Sequence, residues 1–117
     1  MAIIERKIQL VRWLSDLTLQ DVPSVGGKNA SLGEMVRELA GAGICVPNGF
    51  AITADAYRQF LSQWGLDERI RCMLDGLNTQ NVEDLHSRAT EVRQAIVATP
   101  LPANLQDAIL EAYAKLS

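Results

Sequence analysis

A glycine pair followed by a lysine is the part of this chain whose residue types are best suited to chemistry. Gly26, Gly27 and Lys28 stand directly before a run with helical periodicity. Glycine lets the backbone turn where a side chain would clash, and it lets another molecule approach closely. The N–H groups at a helix N-terminus carry partial positive charge, so a lysine there is disfavoured unless an anion joins it. Backbone amides, helix dipole and ammonium together indicate a phosphate site, although a turn with a solvated lysine accounts for the same three residues.

The lysine does not belong to a P-loop of the Walker type. That motif requires a glycine five residues before the second glycine, and a serine or threonine directly after the lysine. Val22 and Asn29 occupy those positions here, and the sequence has no G-x-G-x-x-G pattern. The residues therefore predict an anion site of another type around Lys28.

Catalytic machinery is not identifiable from residue types and spacing. The chain has one histidine, His86, which lacks the partners of a Ser-His-Asp or Cys-His arrangement. The acidic residues near the glycine pair are accounted for as surface or helix-capping residues. Arg93 is a second candidate for phosphate binding, because arginine forms bidentate contacts with phosphate. Taken alone, its place beside Val92 on the flank of a predicted apolar stripe favours a solvated helix arginine.

Length and composition indicate one soluble globular domain. The chain has 117 residues, of which 48% are hydrophobic and 21% are charged, as is typical of a folded domain of ordinary size. The formal net charge of −3 argues against a general nucleic-acid binder, which needs a basic surface. It permits a local positive pocket for one nucleotide.

The cysteines and the start of the chain indicate a cytoplasmic protein. Cys45 and Cys72 have apolar neighbours and no metal-ligand spacing, which predicts buried free thiols in a reducing compartment. A single histidine without partnering cysteines argues against a zinc site. Residues 1–10 contain three charged side chains and no long apolar run, so no signal peptide is expected. No segment reaches the length of a membrane span.

Short elements are predicted to position the glycine–lysine stretch. A β-compatible run predicts a strand over residues 11–14, and residues 16–24 are loop-like. The helix after the glycine pair has either Asn29 as its N-cap or a capping box formed by Ser31 and Glu34. Its predicted core face consists of apolar residues at helical spacing, namely Leu32, Met35, Val36, Leu39 and Ala40.

Glycines are expected to shape the packing and the end of this helix. Gly33 lies inside the helix, where glycine is about 1 kcal/mol less favourable than alanine. Its presence therefore predicts close backbone packing. Gly41 and Gly43 are expected to end the helix.

A second strand and a second helix follow. The strand is expected at residues 50–52, and Thr53 is expected to cap the helix after it. Gly65 is expected to end that helix. Its spacing predicts a buried aromatic-rich face made of Tyr57, Phe60, Leu61 and Trp64.

Three further helices are predicted in the rest of the chain. Asp67 is expected to cap a short one and Asn81 a long one, and the Thr-Pro-Leu-Pro run at residues 99–102 separates the long one from the last. The apolar stripes of the three are Ile70, Met73, Leu74 and Leu77; Val82, Leu85, Ala89, Val92 and Ile96; and Leu105, Ala108, Ile109, Ala112 and Leu116. His86, Thr90 and Arg93 lie along the flank of the long helix.

The element count predicts an α/β (α+β) fold that is rich in helix. Two short strands and about five helices are expected, without internal repeats or a low-complexity linker. Two strands alone leave the sheet edges open. We therefore expect a small, incomplete sheet whose further partners lie beyond Ser117, in a chain that is cut rather than finished.

Several motifs closely resemble the N-terminus of one enzyme family. They are residues 25–35 (VGGKNASLGEM) and 46–57 (VPNGFAITADAY), continuing through residues 92–96 (VRQAI), 99–102 (TPLP) and 111–113 (EAY). The family comprises the phosphoenolpyruvate synthases (pyruvate, water dikinases) and, more loosely, the pyruvate phosphate dikinases and rifampicin phosphotransferases. The resemblance covers nearly the whole chain from Trp13 onward, and residues 1–9 add nothing to it.

The resemblance implies an ATP-binding role. Such enzymes make phosphoenolpyruvate from pyruvate, ATP and water through a phosphohistidine, releasing AMP and phosphate. Their N-terminal domain is an ATP-grasp-like nucleotide-binding domain, of which residues 1–117 would be the N-terminal part. By the family pattern Lys28 and Arg93 contact the ATP phosphates, while Gly26, Gly27 and Asn29 shape the phosphate loop.

The resemblance also implies what lies outside these residues. The acidic magnesium ligands, the phosphohistidine and the pyruvate site would follow Ser117, and nothing around His86 matches the phosphohistidine motif. The fragment alone is therefore expected to be inactive. The complete enzyme is expected to bind ATP, Mg²⁺ and pyruvate, to be a homo-oligomer, and to bind neither nucleic acid nor membrane.

Two alternatives remain at this point. One is another member of the same family, either a pyruvate phosphate dikinase or a rifampicin phosphotransferase, because residues that choose the phosphoryl acceptor would lie elsewhere. The other is a stand-alone helical binding module without catalysis.

Overall fold

The computed structural model describes residues 9–116. Most of residues 1–10, where no signal peptide is expected, therefore lies outside the described residues. As predicted, the chain is rich in helix and has a small sheet. The elements are β1 (Val11–Trp13), α1 (Val22–Gly41), β2 (Phe50–Ile52), α2 (Ala54–Gln63), α3 (Leu66–Leu74), α4 (Val82–Ala98) and α5 (Ala103–Leu116). No helix in the described part is long and apolar enough to cross a membrane.

The described residues form two compact units. The first contains the chain up to Arg58 together with the residues from Ala103 on, and the second is Gln59–Pro102. The boundary falls within α2. The first unit thus holds the sheet, α1 and α5, and the second holds α3 and α4.

The sheet of the first unit consists of β1 and β2 in antiparallel pairing. Trp13 lies opposite Phe50, and their rings pack edge to face with centroids 5.7 Å apart. The pairing ends where the Leu14 N–H donates to the Gly49 carbonyl at 2.8 Å. Leu14 then begins a 3₁₀ turn, so the strand stops one residue earlier than predicted.

The predicted loop over residues 16–24 is largely wrong. Two 3₁₀ turns, Leu14–Asp16 and Leu19–Asp21, lead directly into α1, which begins at Val22. Pro23 lies in the first turn of α1, where its missing N–H is harmless and its fixed φ suits a helix. The proline that suggested a loop therefore marks a helix start.

One cluster of buried residues in the first unit lies under α1. Leu17, Val25, Ala30 and Ala51 are buried together, with Leu14 packed against them. The predicted core face of α1 is only partly correct, because Met35 is 45% exposed while Val36 is buried. The buried side instead consists of Val25, Ala30, Gly33 and Val36.

The predictions for the C-terminal end of α1 and for the start of α2 are confirmed. α1 ends at Gly41, and Gly43 has φ +81° while the Ile44 N–H returns to the Leu39 carbonyl at 2.9 Å. Thr53, 2% exposed, accepts from the Ala56 N–H at 3.1 Å at the start of α2.

Side-chain burial departs from prediction on α2 and at the cysteines. Phe60 is buried, but Tyr57 and Trp64 are each about half exposed, so the aromatic face is only partly core. Trp64 uses its indole N–H to reach the Pro100 carbonyl at 3.0 Å. Cys45 and Cys72 are free thiols as predicted but are exposed, because apolar sequence neighbours do not ensure that a side chain points inward.

The helices of the second unit start close to the predicted positions, but α3 ends at Leu74, so Leu77 of its predicted stripe lies beyond the helix. Gly65, with φ +67°, ends the turn after α2 and is also the N-cap of α3. Asp67 therefore lies inside the first turn and is not the cap. Asn81 caps α4 as predicted, accepting from the Asp84 N–H at 3.2 Å.

One arginine ties the two helices of the second unit together. The Arg88 guanidinium donates to the Met73 carbonyl at 3.2 Å and also to the Asp75 carbonyl, at the C-terminal end of α3. It pairs with Asp84 on its own helix at 3.0 Å. Cations are stabilised by the unpaired carbonyls of a helix C-terminus. The predicted apolar stripe of α4 is wrong at its start, where Val82 is 74% exposed.

Candidate functional site

A break in the helical backbone at Gly26 defines the candidate site. Gly26 has φ 83° and ψ 164° and separates two helical segments within α1. This conformation is essentially restricted to glycine. No heavy atom lies within 4 Å of a Cβ built on either Gly26 or Gly27, so the backbone here is open to a ligand.

Lys28 lies in the first turn of the helical segment that starts after the break. The first N–H groups of such a segment have no carbonyl one turn earlier to accept from them. The Lys28 side chain is exposed, and the part of the chain that the structure describes provides no ion-pair partner for it. Amides, helix dipole and ammonium therefore favour an anion at this one place.

Asn29 forms a hydrogen bond across the break at Gly26. Its side-chain amide donates to the Val25 carbonyl at 3.0 Å, which satisfies a carbonyl at the end of the preceding segment. Neither Asn29 nor Ser31 is the N-cap that the sequence suggested, because the helical segment after the break already begins directly after Gly26. Glu34 is likewise not part of a capping box; it accepts from the Leu19 N–H at 3.2 Å.

The turn before α1 is anchored by a network around Asp21. Thr18 and Asp21 form a capping box, with the Thr18 N–H donating to the Asp21 carboxylate at 2.8 Å. Arg12 of β1 pairs with the same carboxylate at 3.3 Å. The Thr18 backbone hydrogen bond, and after it the charge of Arg12, lowers the pKa of Asp21 below its ordinary value of 3.8.

A second set of contacts fixes Leu17, directly before that turn, against α1. Arg37 donates to the Leu17 carbonyl and pairs with Glu34 at 2.9 Å. Gly33 makes this possible, since a Cβ at that position would lie 2.7 Å from the Leu17 Cβ. The predicted close packing at Gly33 is confirmed. Hydrogen bonds and ion pairs thus hold the residues that lead into the loop at Gly26.

Arg93, the other predicted phosphate ligand, lies on α4 in the second unit, whereas Lys28 lies in the first. Its side chain is exposed, and its guanidinium donates to the Thr90 hydroxyl at 3.2 Å. That hydroxyl in turn donates to the His86 carbonyl at 2.9 Å. His86 itself is exposed on the helix surface, as predicted.

A cavity of about 400 Å³ lies elsewhere in the first unit, between β1 and α5. Its lining includes Leu10, Trp13, Ala108 and Ala112, together with Glu111 and Lys115, which form an ion pair. None of the predicted ATP-binding residues is among those that line it. The cation in its lining, Lys115, is paired with Glu111, so it is already neutralised and favours a phosphate less than Lys28 does, which is unpaired among the described residues.

The described residues do not form a metal site. Among residues 9–116, no three histidine, cysteine, aspartate or glutamate side chains come together to hold an ion. Magnesium ligands in a longer protein stay a prediction.

Three contacts that support the candidate site residues were not predicted from the sequence: Thr18 with Asp21, Thr90 with Arg93, and Arg12 with Asp21. The Thr18-x-x-Asp21 spacing is a capping signature that could have predicted the turn. Thr90 stands three residues before Arg93, a spacing at which helical side chains meet. The Arg12–Asp21 pair has no comparable local signal, because it depends on how β1 folds against the turn.

Comparison with known proteins identifies one matching family model and several similar proteins that share one name. The model of the family described as pyruvate phosphate dikinase, AMP/ATP-binding domain, matches residues 22–117. The phosphoenolpyruvate synthase of Escherichia coli (strain K12) is 51% identical over 108 residues, covering 92% of this chain and 14% of that protein. The phosphoenolpyruvate synthase of Aquifex aeolicus (strain VF5) is 45% identical over 114 residues, covering 97% of this chain and 13% of that protein.

A third relative has the same name and similar coverage. The phosphoenolpyruvate synthase of Pseudomonas aeruginosa (strain UCBPP-PA14) is 47% identical over 110 residues, covering 94% of this chain and 14% of the relative. The chain thus spans about one-seventh of the length of the curated relatives that it matches.

Proposed function

This chain belongs to the pyruvate phosphate dikinase AMP/ATP-binding domain family, and on that basis we propose that it is the N-terminal part of the ATP-binding domain of a phosphoenolpyruvate synthase. The names of the three relatives support this choice over a pyruvate phosphate dikinase or a rifampicin phosphotransferase. The substantial identity to enzymes also makes a stand-alone binding module the weaker alternative. We further propose that the complete domain is ATP-grasp-like.

The reaction of the complete protein would convert pyruvate, ATP and water into phosphoenolpyruvate, AMP and phosphate. A histidine outside these residues would carry the phosphoryl group from ATP to pyruvate. Mg²⁺, held by ligands outside this chain, would neutralise phosphate charge. The proposal includes a cytoplasmic location and a homo-oligomeric enzyme.

The part of this chain in that reaction is to bind the ATP phosphates. The observation that supports it best is the position of Lys28 in the first helical turn after the Gly26 break. There the ammonium acts as a point charge, and the open backbone at Gly26 and Gly27 allows a phosphate to approach. Asn29 acts by holding the loop through Val25.

Arg93 would supply the second cation. A guanidinium presents two parallel N–H donors to a phosphate. Because phosphoryl transfer depends mainly on positioned charge, Lys28 and Arg93 would both bind ATP and stabilise the charge that develops during transfer to histidine.

The experiment is substitution of Lys28 by alanine in the full-length protein, followed by measurement of ATP-dependent histidine phosphorylation. Loss of a charge-assisted phosphate contact is expected to lower the rate about 10- to 100-fold with an unchanged circular dichroism spectrum. Lys115→Ala is the matched control, since Lys115 is an exposed lysine paired with Glu111 on α5. Unchanged phosphorylation in Lys28→Ala would refute the proposed role.

A further inference from the structure

The hydroxyl of Thr90 joins Arg93 to the backbone of α4. The Arg93 guanidinium donates to Thr90 Oγ1 at 3.2 Å, and Thr90 Oγ1 donates to the His86 carbonyl at 2.9 Å. We propose that Thr90 is a positioning residue that orients Arg93 toward the phosphates of ATP. This inference rests on the phosphate-binding role proposed for Arg93.

The two hydrogen bonds have a defined direction. A threonine in a helix can turn its hydroxyl back to the carbonyl four residues earlier, which fixes its χ1 rotamer. Donation to His86 uses the single hydroxyl proton of Thr90, so only its lone pairs remain to receive the Arg93 N–H. The arginine is thus held through a side chain that is itself held by the helix.

Holding Arg93 in this way favours binding. An arginine side chain has about 2 kcal/mol of rotamer entropy to lose when it becomes fixed. The Arg93 side chain is exposed, and in the described part of the chain it forms no ion pair that would orient it instead. Thr90 uses one of the five guanidinium N–H donors and leaves the others for a ligand.

The test compares four forms of the full-length protein: the unchanged protein, Thr90→Val, Arg93→Ala and the double variant. Valine keeps the shape of threonine and removes the hydroxyl. We expect Thr90→Val to raise the Kd for ATP about 2- to 10-fold, the range of one net hydrogen bond. Adenosine, which lacks phosphates, should bind with unchanged affinity. In the Arg93→Ala background, Thr90→Val should have no further effect on the Kd for ATP.

Two further variants separate positioning from helix stability. Thr90→Ser keeps the hydroxyl and should restore the original Kd for ATP. Thr99→Val removes a hydroxyl that also bonds back four residues, to the Ala95 carbonyl at 2.6 Å, but that accepts no hydrogen bond from an arginine among the described residues. It should leave ATP affinity unchanged, which excludes loss of a helix back-bond as the cause.

The outcomes distinguish this inference from the function on which it rests. If Arg93→Ala leaves the Kd for ATP unchanged, the phosphate-binding role of Arg93 is wrong, and the role of Thr90 with it. If Arg93→Ala weakens ATP binding but Thr90→Val does not, the positioning role alone is overturned. An equal effect of Thr90→Val with and without Arg93 overturns it as well.

Discussion

Gly33 and the backbone of Leu14 approach so closely that a Cβ on Gly33 would lie 2.6 Å from the Leu14 carbonyl oxygen. The same atom would lie 2.7 Å from the Leu17 Cβ. This contact lets α1 pack directly on the turn that follows β1. A glycine in the middle of a helix is therefore explained by its neighbours in space.

Substitution of Gly33 by alanine is expected to lower the free energy of unfolding by about 2 kcal/mol. The close atoms are backbone and Cβ atoms of Leu14 and the fully buried Leu17, which cannot move aside as a flexible side chain would, so overpacking outweighs the better helix propensity of alanine. Urea unfolding monitored by circular dichroism measures the effect. Gly41→Ala in the same helix is the control, because no heavy atom lies within 4 Å of its Cβ position. Equal stability of the two variants would contradict the packing at Gly33.

The two glycines of the phosphate loop should respond differently to alanine. Gly26→Ala is expected to lower the free energy of unfolding by about 1–3 kcal/mol, because φ 83° is strained for any residue with a Cβ. Gly27 has no positive φ and no neighbour within 4 Å of its Cβ position, so Gly27→Ala should leave stability intact. Its Cβ would instead obstruct an approaching phosphate. Thermal unfolding and ATP affinity, measured on both variants, test the distinction; a stable Gly26→Ala protein would argue against the helix break.

The carboxylate of Asp21 should make folding sensitive to acid. The pKa of Asp21 is lowered in the folded state, first by the Thr18 backbone N–H and then by Arg12. The stabilisation is therefore fully present above the unfolded pKa of 3.8 and is lost as the pH falls through the lower folded pKa. Asp21→Asn removes this contribution, so its free energy of unfolding should depend less on pH below that value. Urea unfolding at several acidic pH values checks this, and parallel curves for the two proteins would contradict it.

Arg88 should be the arginine of the second unit that matters most for stability. Arg88→Ala removes its hydrogen bonds to the Met73 and Asp75 carbonyls and its pair with Asp84. The expected loss in the free energy of unfolding is about 2 kcal/mol, since the carbonyls at the end of α3 lose a charged donor. Hydrogen exchange of the α3 and α4 amides locates the effect.

Arg71→Ala is the matched control for Arg88. Arg71 pairs with Glu68 one turn away at 2.9 Å, and both side chains are largely exposed. Such pairs contribute about 0.3–0.5 kcal/mol. If the two variants lose equal stability, the carbonyl contacts of Arg88 contribute little.

Local sequence patterns were sufficient for much of the fold. The Asn81 cap, the C-terminal end of α1, both ends of α4 and both strands agree with the structure within about one residue. These features depend on backbone preferences of glycine, proline and capping side chains, which act over a few residues. The same patterns singled out Lys28 and its glycines, while membership of the family came from longer motifs.

Burial and the supporting contacts needed the tertiary structure. Met35 and Val36 are adjacent and both apolar, yet Met35 is 45% exposed and Val36 is buried, a difference that depends on what packs against α1. Cys45 and Cys72 are exposed for the same kind of reason. The Arg12–Asp21 pair joins a strand to a turn nine residues later, beyond the spacing of any local helix or turn motif. The sequence by itself determined the glycine–lysine loop, because its backbone conformation and charge are local properties. The tertiary structure decided which face of α1 is buried and what holds the loop, because those depend on atoms that only folding brings together.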